Sequence, residues 1–292
     1  MTEPSLSTRA QGWEQVTAES RDGVVAYRLN TWSVFSPFLE REVFGTHQGD
    51  RRAYVWRGQR RADWPLRTSL DRLLDRAGLL EKNSSQLEKW ARTHLEQFKY
   101  AARGRAPANA EKFGPNEWWA LGQHFGLATP LLDWTRSPYA AAFFAFDAEG
   151  SDQSATRVIW ALDQKAVERF NYQLENGESF EVGRMARLEL VDPLYGDNPR
   201  LVSQGGLFTR APIGTPVETW VREAFPGSRD AVLMRIEIPD ADRAACLRAL
   251  GRMNVSALTL FPDLTGSSLY VNRSFELSPP TTPAPAPTVP TP

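Results

Sequence analysis

Residues 118–147 read WWALGQHFGLATPLLDWTRSPYAAAFFAFD, and the rest of the chain is understood through them. The second half, SPYAAAFFAF, has no charge and suits the opening turns of a buried helix. The first half sets Gln123, His124, Thr129, Asp133 and Thr135 among apolar residues that must lie largely inside. Buried polar groups need partners. The cluster is therefore either a polar network at a helix start, with Asp133 or Thr135 as N-cap, or part of a ligand pocket. Asp133, between leucines and a tryptophan, is expected to be buried.

Upstream, RAYVWRGQ (52–59) reads as a strand ending in a turn, with Tyr54 and Trp56 on one face and Val55 and Arg57 on the other. An arginine at such a strand end holds a carboxylate in a core ion pair or an anion such as phosphate. Gly58 beside it lets a second backbone or a ligand come close. Downstream, RLVSQGGLFT (200–209) reads as a strand broken at Gly205 and Gly206, with Gln204 at the kink.

Further strands are expected at 13–20, 157–163 and 231–239, the last with Arg235 and Glu237 facing outward. Helices are expected at 30–45 behind Asn30 or Thr31, over about 71–102, and at 165–174, 215–225 and 241–253. The loop at 102–115 is basic and proline-bearing, a composition that solvent or a phosphate backbone can meet. Residues 1–11 are polar, and SPPTTPAPAPTVPTP (278–292) has a composition that cannot form a core.

A hydrophobic content of 41%, a charged content of 24% and ten tryptophans fit a globular protein with a substantial core. The net charge of -1 gives no overall pull toward nucleic acid or anionic membrane, although 34 basic residues leave room for a local basic groove. One cysteine, Cys246, excludes an internal disulfide and a cysteine-based zinc cage, and three histidines argue against a histidine-rich metal site. No signal-peptide core or membrane-length apolar run is present, so a cytoplasmic protein without membrane contact is expected. P-loop, GxSxG, HExxH and dinucleotide fingerprints are missing, which counts against the commonest triphosphatases, hydrolases, zincins and dehydrogenases.

YVWRGQ followed by WPLRTSL resembles the opening of the FRG domain, a bacterial family named for its aromatic-Arg-Gly motif. QHFGLATPLLDWTRSPYAAAFFAF resembles the family's AQHxGxPTRLLDWT run and its small-residue helix, RLVSQGGLFT its Gln-x-Gly-x-Phe segment, and LFPDLTGSS its terminal motif. The matches fall in order over roughly residues 14–270, and Pro130 stands where the family commonly has arginine. The order of elements also resembles, more weakly, the R-S-E type of ADP-ribosyltransferase. That resemblance implies that Arg57, with Gly58 and Gln59, meets the pyrophosphate or a ribose of NAD, and that Thr135 braces the nicotinamide ribose. The catalytic glutamate of that type has no counterpart in RLVSQGGLFT, where Arg200 and Gln204 stand instead; Asp133 or Asp263 is left to supply a carboxylate. His124 is the nearest titratable side chain, a base, a ligand contact or a core histidine bonded to backbone.

The fold expected is one α+β domain over residues 12–277, a mixed, mostly antiparallel sheet in two halves with helices around it and a cleft of the ADP-ribosyltransferase kind. The function expected is NAD-dependent ADP-ribosyl transfer to a macromolecule, nucleic acid or protein, in a toxin or phage-defence effector. NAD serves as substrate and no metal is expected. The alternatives are a non-catalytic nucleotide- or nucleic-acid-binding FRG module and, less favoured, a metal-dependent nuclease using Asp133 and Asp263.

Overall fold

The structure is a computed structural model that describes residues 12–45, 53–147, 155–177, 185–192 and 203–277. The two polar flanks, 1–11 and 278–292, and Arg200 lie outside the described residues.

Eight strands form one mixed, mostly antiparallel sheet in the order β1-β2-β8-β5-β3-β4-β7-β6. They are β1 (Trp13–Gln15), β2 (Val24–Leu29), β3 (Tyr54–Gln59), β4 (Leu132–Thr135), β5 (Thr156–Asp163), β6 (Glu189–Val191), β7 (Gly206–Arg210) and β8 (Leu233–Pro239). Only β2 and β8 pair in parallel, Val24 opposite Leu233. The sequence TRVIWALD makes β5 a central strand: its β-branched and aromatic residues are buried on both faces, between β3 and β8. The expected two halves are joined into one sheet, but the joint is narrow. β3 meets β4 in register at Trp56↔Thr135, whereas β3 meets β5 over six pairs.

Among the described residues ten α-helices surround the sheet. They are α1 (Phe35–Phe38), α2 (Ser69–Arg76), α3 (Ser84–Ala101), α4 (Pro115–His124), α5 (Pro138–Phe146), α6 (Gln164–Asn176), α7 (Val217–Ala224), α8 (Arg243–Arg252), α9 (Ala257–Leu260) and α10 (Leu264–Leu277). One face of the sheet, with Trp56, Ile159 and Ile236, packs on α1, α5 and α8. The other, with Val55, Trp160 and Trp134, packs on α6 and α7. A third cluster joins α2, α3 and α4 to Leu131 and Phe208 at the β4–β7 end. Fully burying one such leucine or phenylalanine contributes about 1.5–3 kcal/mol.

Helix α5 is where sequence and packing meet most tightly. Ser137 caps it by accepting the Ala140 N–H at 3.2 Å, and Pro138 opens it. Its alanines then let it lie directly on β3 at Gly58. A Cβ on residue 58 would sit 1.9 Å from the Ala141 carbonyl oxygen and 2.6 Å from the Ala145 nitrogen. The close approach that Gly58 permits is therefore that of another backbone.

Several local expectations are corrected. LDWT is a strand, not a helix cap, because all four of its residues pair with β7; Ser137 takes the N-cap that Asp133 or Thr135 was expected to fill. Pleating turns the Asp133 side chain away from the buried Leu132 and Trp134, and it is 63% exposed, not buried. The helical region expected over about 71–102 comprises two helices, α2 and α3, parted at Gly78, whose φ of 67° ends the first. β7 begins at Gly206, so Gln204 and Gly205 form the turn before it. Glu237 does not face solvent: it is 6% exposed, 2.5 Å from Arg235 and 3.2 Å from Arg28, because β8 is flanked by β2 and β5. The segment after Thr31 changes pitch twice, from a 3-10 turn (Trp32–Val34) through α1 to a π turn (Leu39–Phe44), with no side-chain cap.

Gly58→Ala should lower the denaturation midpoint by the equivalent of about 3 kcal/mol, since a main-chain contact cannot swing aside. Gly251→Ala in α8, where an added Cβ meets open space, should raise it by about 0.5–1 kcal/mol.

Candidate functional site

The C-terminal end of β3 runs into a cleft of about 660 Å³ lined by Arg57, Gly58, Gln59, Arg60, Trp64, Pro65, Arg67, Arg72 and Phe144. Four of the nine are arginines and none is acidic. Three pieces of chain supply them: the end of β3 with the loop after it, the first turn of α2, and α5, which contributes Phe144.

Arg57 leaves β3 on the Val55 side, at the place where β3 and β4 separate. Its Nη1 donates to the Asp133 carbonyl oxygen at 2.8 Å and lies 3.7 Å from the Asp133 carboxylate. The Arg57 side chain is 19% exposed. Its Nε, like that of Arg67, is buried with no hydrogen-bond partner among the described residues. Burial pulls the Arg57 pKa below the ordinary guanidinium value, Asp133 restores part of the loss, and the charge of Arg72 lowers it further. The carboxylate partner is thus solvent-exposed and offset, and the expected core ion pair is not what holds this arginine.

The other side chains are held by the loop and by α2. Gln59 is turned inward, accepting from the Trp160 indole at 2.9 Å and donating to the Pro65 carbonyl at 3.4 Å. Leu66 N–H donates to both oxygens of Glu218 on α7, at 3.2 and 3.1 Å; burial raises the pKa of that carboxyl above its usual range. Thr68 and Asp71 cap α2 reciprocally, each bond 3.1 Å, and the second Asp71 oxygen accepts the Gly214 N–H at 2.9 Å. Asp71 adjoins Arg72 in sequence and lies four residues from Arg67, and its carboxylate is taken by backbone. Arg72 Nη1 donates to the Arg67 carbonyl at 2.7 Å, while the Arg60 guanidinium lies 5.0 Å from the Trp64 ring centre.

A polar relay links the two arginine-bearing segments. Gln123 donates to the Asp133 carboxylate at 2.7 Å and accepts from the Thr129 hydroxyl; Thr129 N–H donates to Ser69 Oγ at 2.9 Å, at the start of α2. The polar network expected in residues 118–147 is present, with Gln123 and Thr129 as its inner members.

Of the residues singled out in the sequence, Arg57, Gly58 and Gln59 line the cleft and Asp133 stands beside Arg57. Thr135 and Gln204 meet each other instead: the Thr135 hydroxyl donates to the Gln204 carbonyl at 2.5 Å, and the Gln204 amide donates to Leu260 O at 3.2 Å. Neither is among the cleft-lining residues. His124 is exposed at the end of α4, edge-on to Phe125. Asp263 accepts the Gly266 N–H at 3.1 Å at the start of α10. Among the described residues no group of three or more His, Cys, Asp or Glu is placed to hold a metal ion, and no helix is long and apolar enough to cross a membrane. Arg60, Trp64, Arg67 and Arg72 were not picked out in the sequence, although five arginines between residues 57 and 72 are a local charge signal.

Compared with known proteins, residues 52–154 match the family model of the FRG domain. That segment holds β3, the arginine loop, α2 to α5 and β4, and so every residue that lines the cleft. No curated protein and no solved structure matches the chain.

Because its carboxylate is largely in solvent, Asp133→Ala should change folding stability by less than about 1 kcal/mol. Equilibrium urea unfolding checks this, and a loss of about 3 kcal/mol or more, the mark of a broken buried pair, would overturn the exposed geometry.

Proposed function

Residues 52–154 match the FRG domain model, and on that premise we propose that this region binds a phosphate-bearing nucleotide in the arginine cleft, NAD being the first candidate. One observation carries the proposal: Arg57 and Arg67, both lining the cleft, each hold a buried Nε with no hydrogen-bond partner among the described residues, and the lining holds no acid. A buried guanidinium N–H without an acceptor costs about 1–3 kcal/mol. A phosphate oxygen supplies an acceptor for such an N–H and adds negative charge to that of the exposed Asp133 and Asp75 carboxylates, each 3.7 Å from one of the two guanidinium groups. The cleft volume suits a small molecule, and Trp64 and Phe144 give it an apolar wall for a base or a nicotinamide ring.

A second reading, ADP-ribosyl transfer from NAD to a macromolecular acceptor, is favoured by the exposed Asp133 carboxylate 3.7 Å from Arg57. A carboxylate there can stabilise positive charge developing on the ribose as the bond to nicotinamide breaks and nicotinamide leaves with the electron pair. The acceptor then attacks the ribose carbon and gives up its proton. Acting on nucleic acid or protein, such transfer would make the protein an effector of the toxin or phage-defence kind.

Calorimetric titration with NAD separates the readings. The parent should bind NAD, and Arg57→Ala should weaken it at least about tenfold while leaving the fold intact. Arg57→Lys, which keeps the charge but loses the planar fork, should fall between them. Unchanged affinity in Arg57→Ala, or no nucleotide binding by the parent, would remove the proposal. Nicotinamide release that disappears in Asp133→Asn would support the enzyme; binding without release would leave the binding module.

A further inference from the structure

Resting on the nucleotide reading above, we infer that the cleft selects ligands with two adjacent phosphates, Arg57 holding one and Arg67 with Arg72 holding the other. The two orphaned Nε atoms come from different elements. Arg57 is fixed by β3 and by the Asp133 carbonyl across the strand seam. Arg67 sits just before the α2 cap, and its carbonyl holds Arg72 Nη1 at 2.7 Å. A planar guanidinium presents a fork that fits the oxygens of one phosphate group. Two forks from separately anchored segments fit two groups better than one.

The charges point the same way. Of the acids near these arginines in sequence, two are engaged elsewhere and the third meets Arg67 from its solvent side. Asp71 takes backbone N–H groups in the helix cap, Asp63 is held by Arg61 at 2.9 and 2.6 Å, and Asp75, 61% exposed, stands 3.7 Å from Arg67 Nη1. The positive charge of Arg72 is felt at Arg57, so the two subsites repel each other in the free protein. A monophosphate brings at most roughly two negative charges to one point. A diphosphate carries more charge and offers a second phosphate group to the second fork. Arg60, resting over Trp64, adds a further donor at the mouth, and Phe144 lines the apolar side. In this arrangement Arg67 and Arg72 set specificity and do not take part in any chemical step.

The test is calorimetric titration of the full chain with ADP, AMP, inorganic pyrophosphate and inorganic phosphate. ADP should bind the parent at least about tenfold more tightly than AMP, and pyrophosphate more tightly than phosphate. Arg67→Ala should weaken ADP more than AMP and bring the two affinities to within about threefold of each other. Arg67→Lys, which keeps the charge toward Asp75, provides the same comparison if the alanine variant does not fold. Equal affinity of the parent for ADP and AMP would overturn the two-phosphate inference and leave nucleotide binding standing. Failure of all four ligands and NAD, or binding of a short oligothymidylate in preference to ADP, would overturn both.

Discussion

A side chain at residue 58 has no space, and much of the fold follows from that. Main chain meets main chain where α5 crosses β3, so neither element can shift without separating the other. β3 is the strand on which the sheet turns from its longer half to its shorter one. The same contact therefore sets the height of α5, the place of Phe144 and the direction in which Arg57 and Gln59 leave the strand. Ser137 and Pro138 begin the helix at the right residue, and the alanines after them keep its lower face thin. Packing in this region is positional: it places the cleft as much as it stabilises the domain.

Around that anchor the electrostatics run against stability. Each buried Nε without an acceptor costs about 1–3 kcal/mol, and neighbouring guanidinium groups repel. Local acids relieve this only in part: Asp71 holds the α2 cap, while Asp133 and Asp75 meet Arg57 and Arg67 from solvent at 3.7 Å. A fold optimised only for its own stability would turn one carboxylate into the cleft. Strain kept in place by surrounding structure is what a ligand-binding surface requires.

The sequence was most legible where pattern and composition agreed. The runs YVWRGQ and RVIWALD become β3 and most of β5, and the uncharged small-residue run becomes α5, because alternating or small apolar residues leave few other ways to be buried. LDWT was misread as a cap since four residues give too little period to reveal a strand, and the pairing with β7 that makes it one comes from residues some 75 positions away. The same distance effect hid the site. Arg57 stood out from its strand and glycine, but nothing local marks Arg67 and Arg72 as its neighbours before the fold sets α2 beside the end of β3. Thr135 and Gln204, read separately as ligand contacts, bond to one another and do not line the cleft; Glu237 looked like a solvent-facing residue because nothing local shows that β2 will cover it.

The strand order has a consequence for how the chain reaches this state. β5 gains one neighbour, β3, from chain already made, and its other, β8, from residues 233–239, more than seventy positions later. β8 in turn pairs in parallel with β2, some 210 residues back. During synthesis an almost wholly apolar strand keeps one open edge until nearly the whole sheet has emerged, and open apolar edges invite pairing with other chains. With so many long-range pairings the barrier is dominated by loop closure, which makes folding slow. The sheet closes late and all but together, so a chain cut before β8 lacks the partner strand that completes its centre.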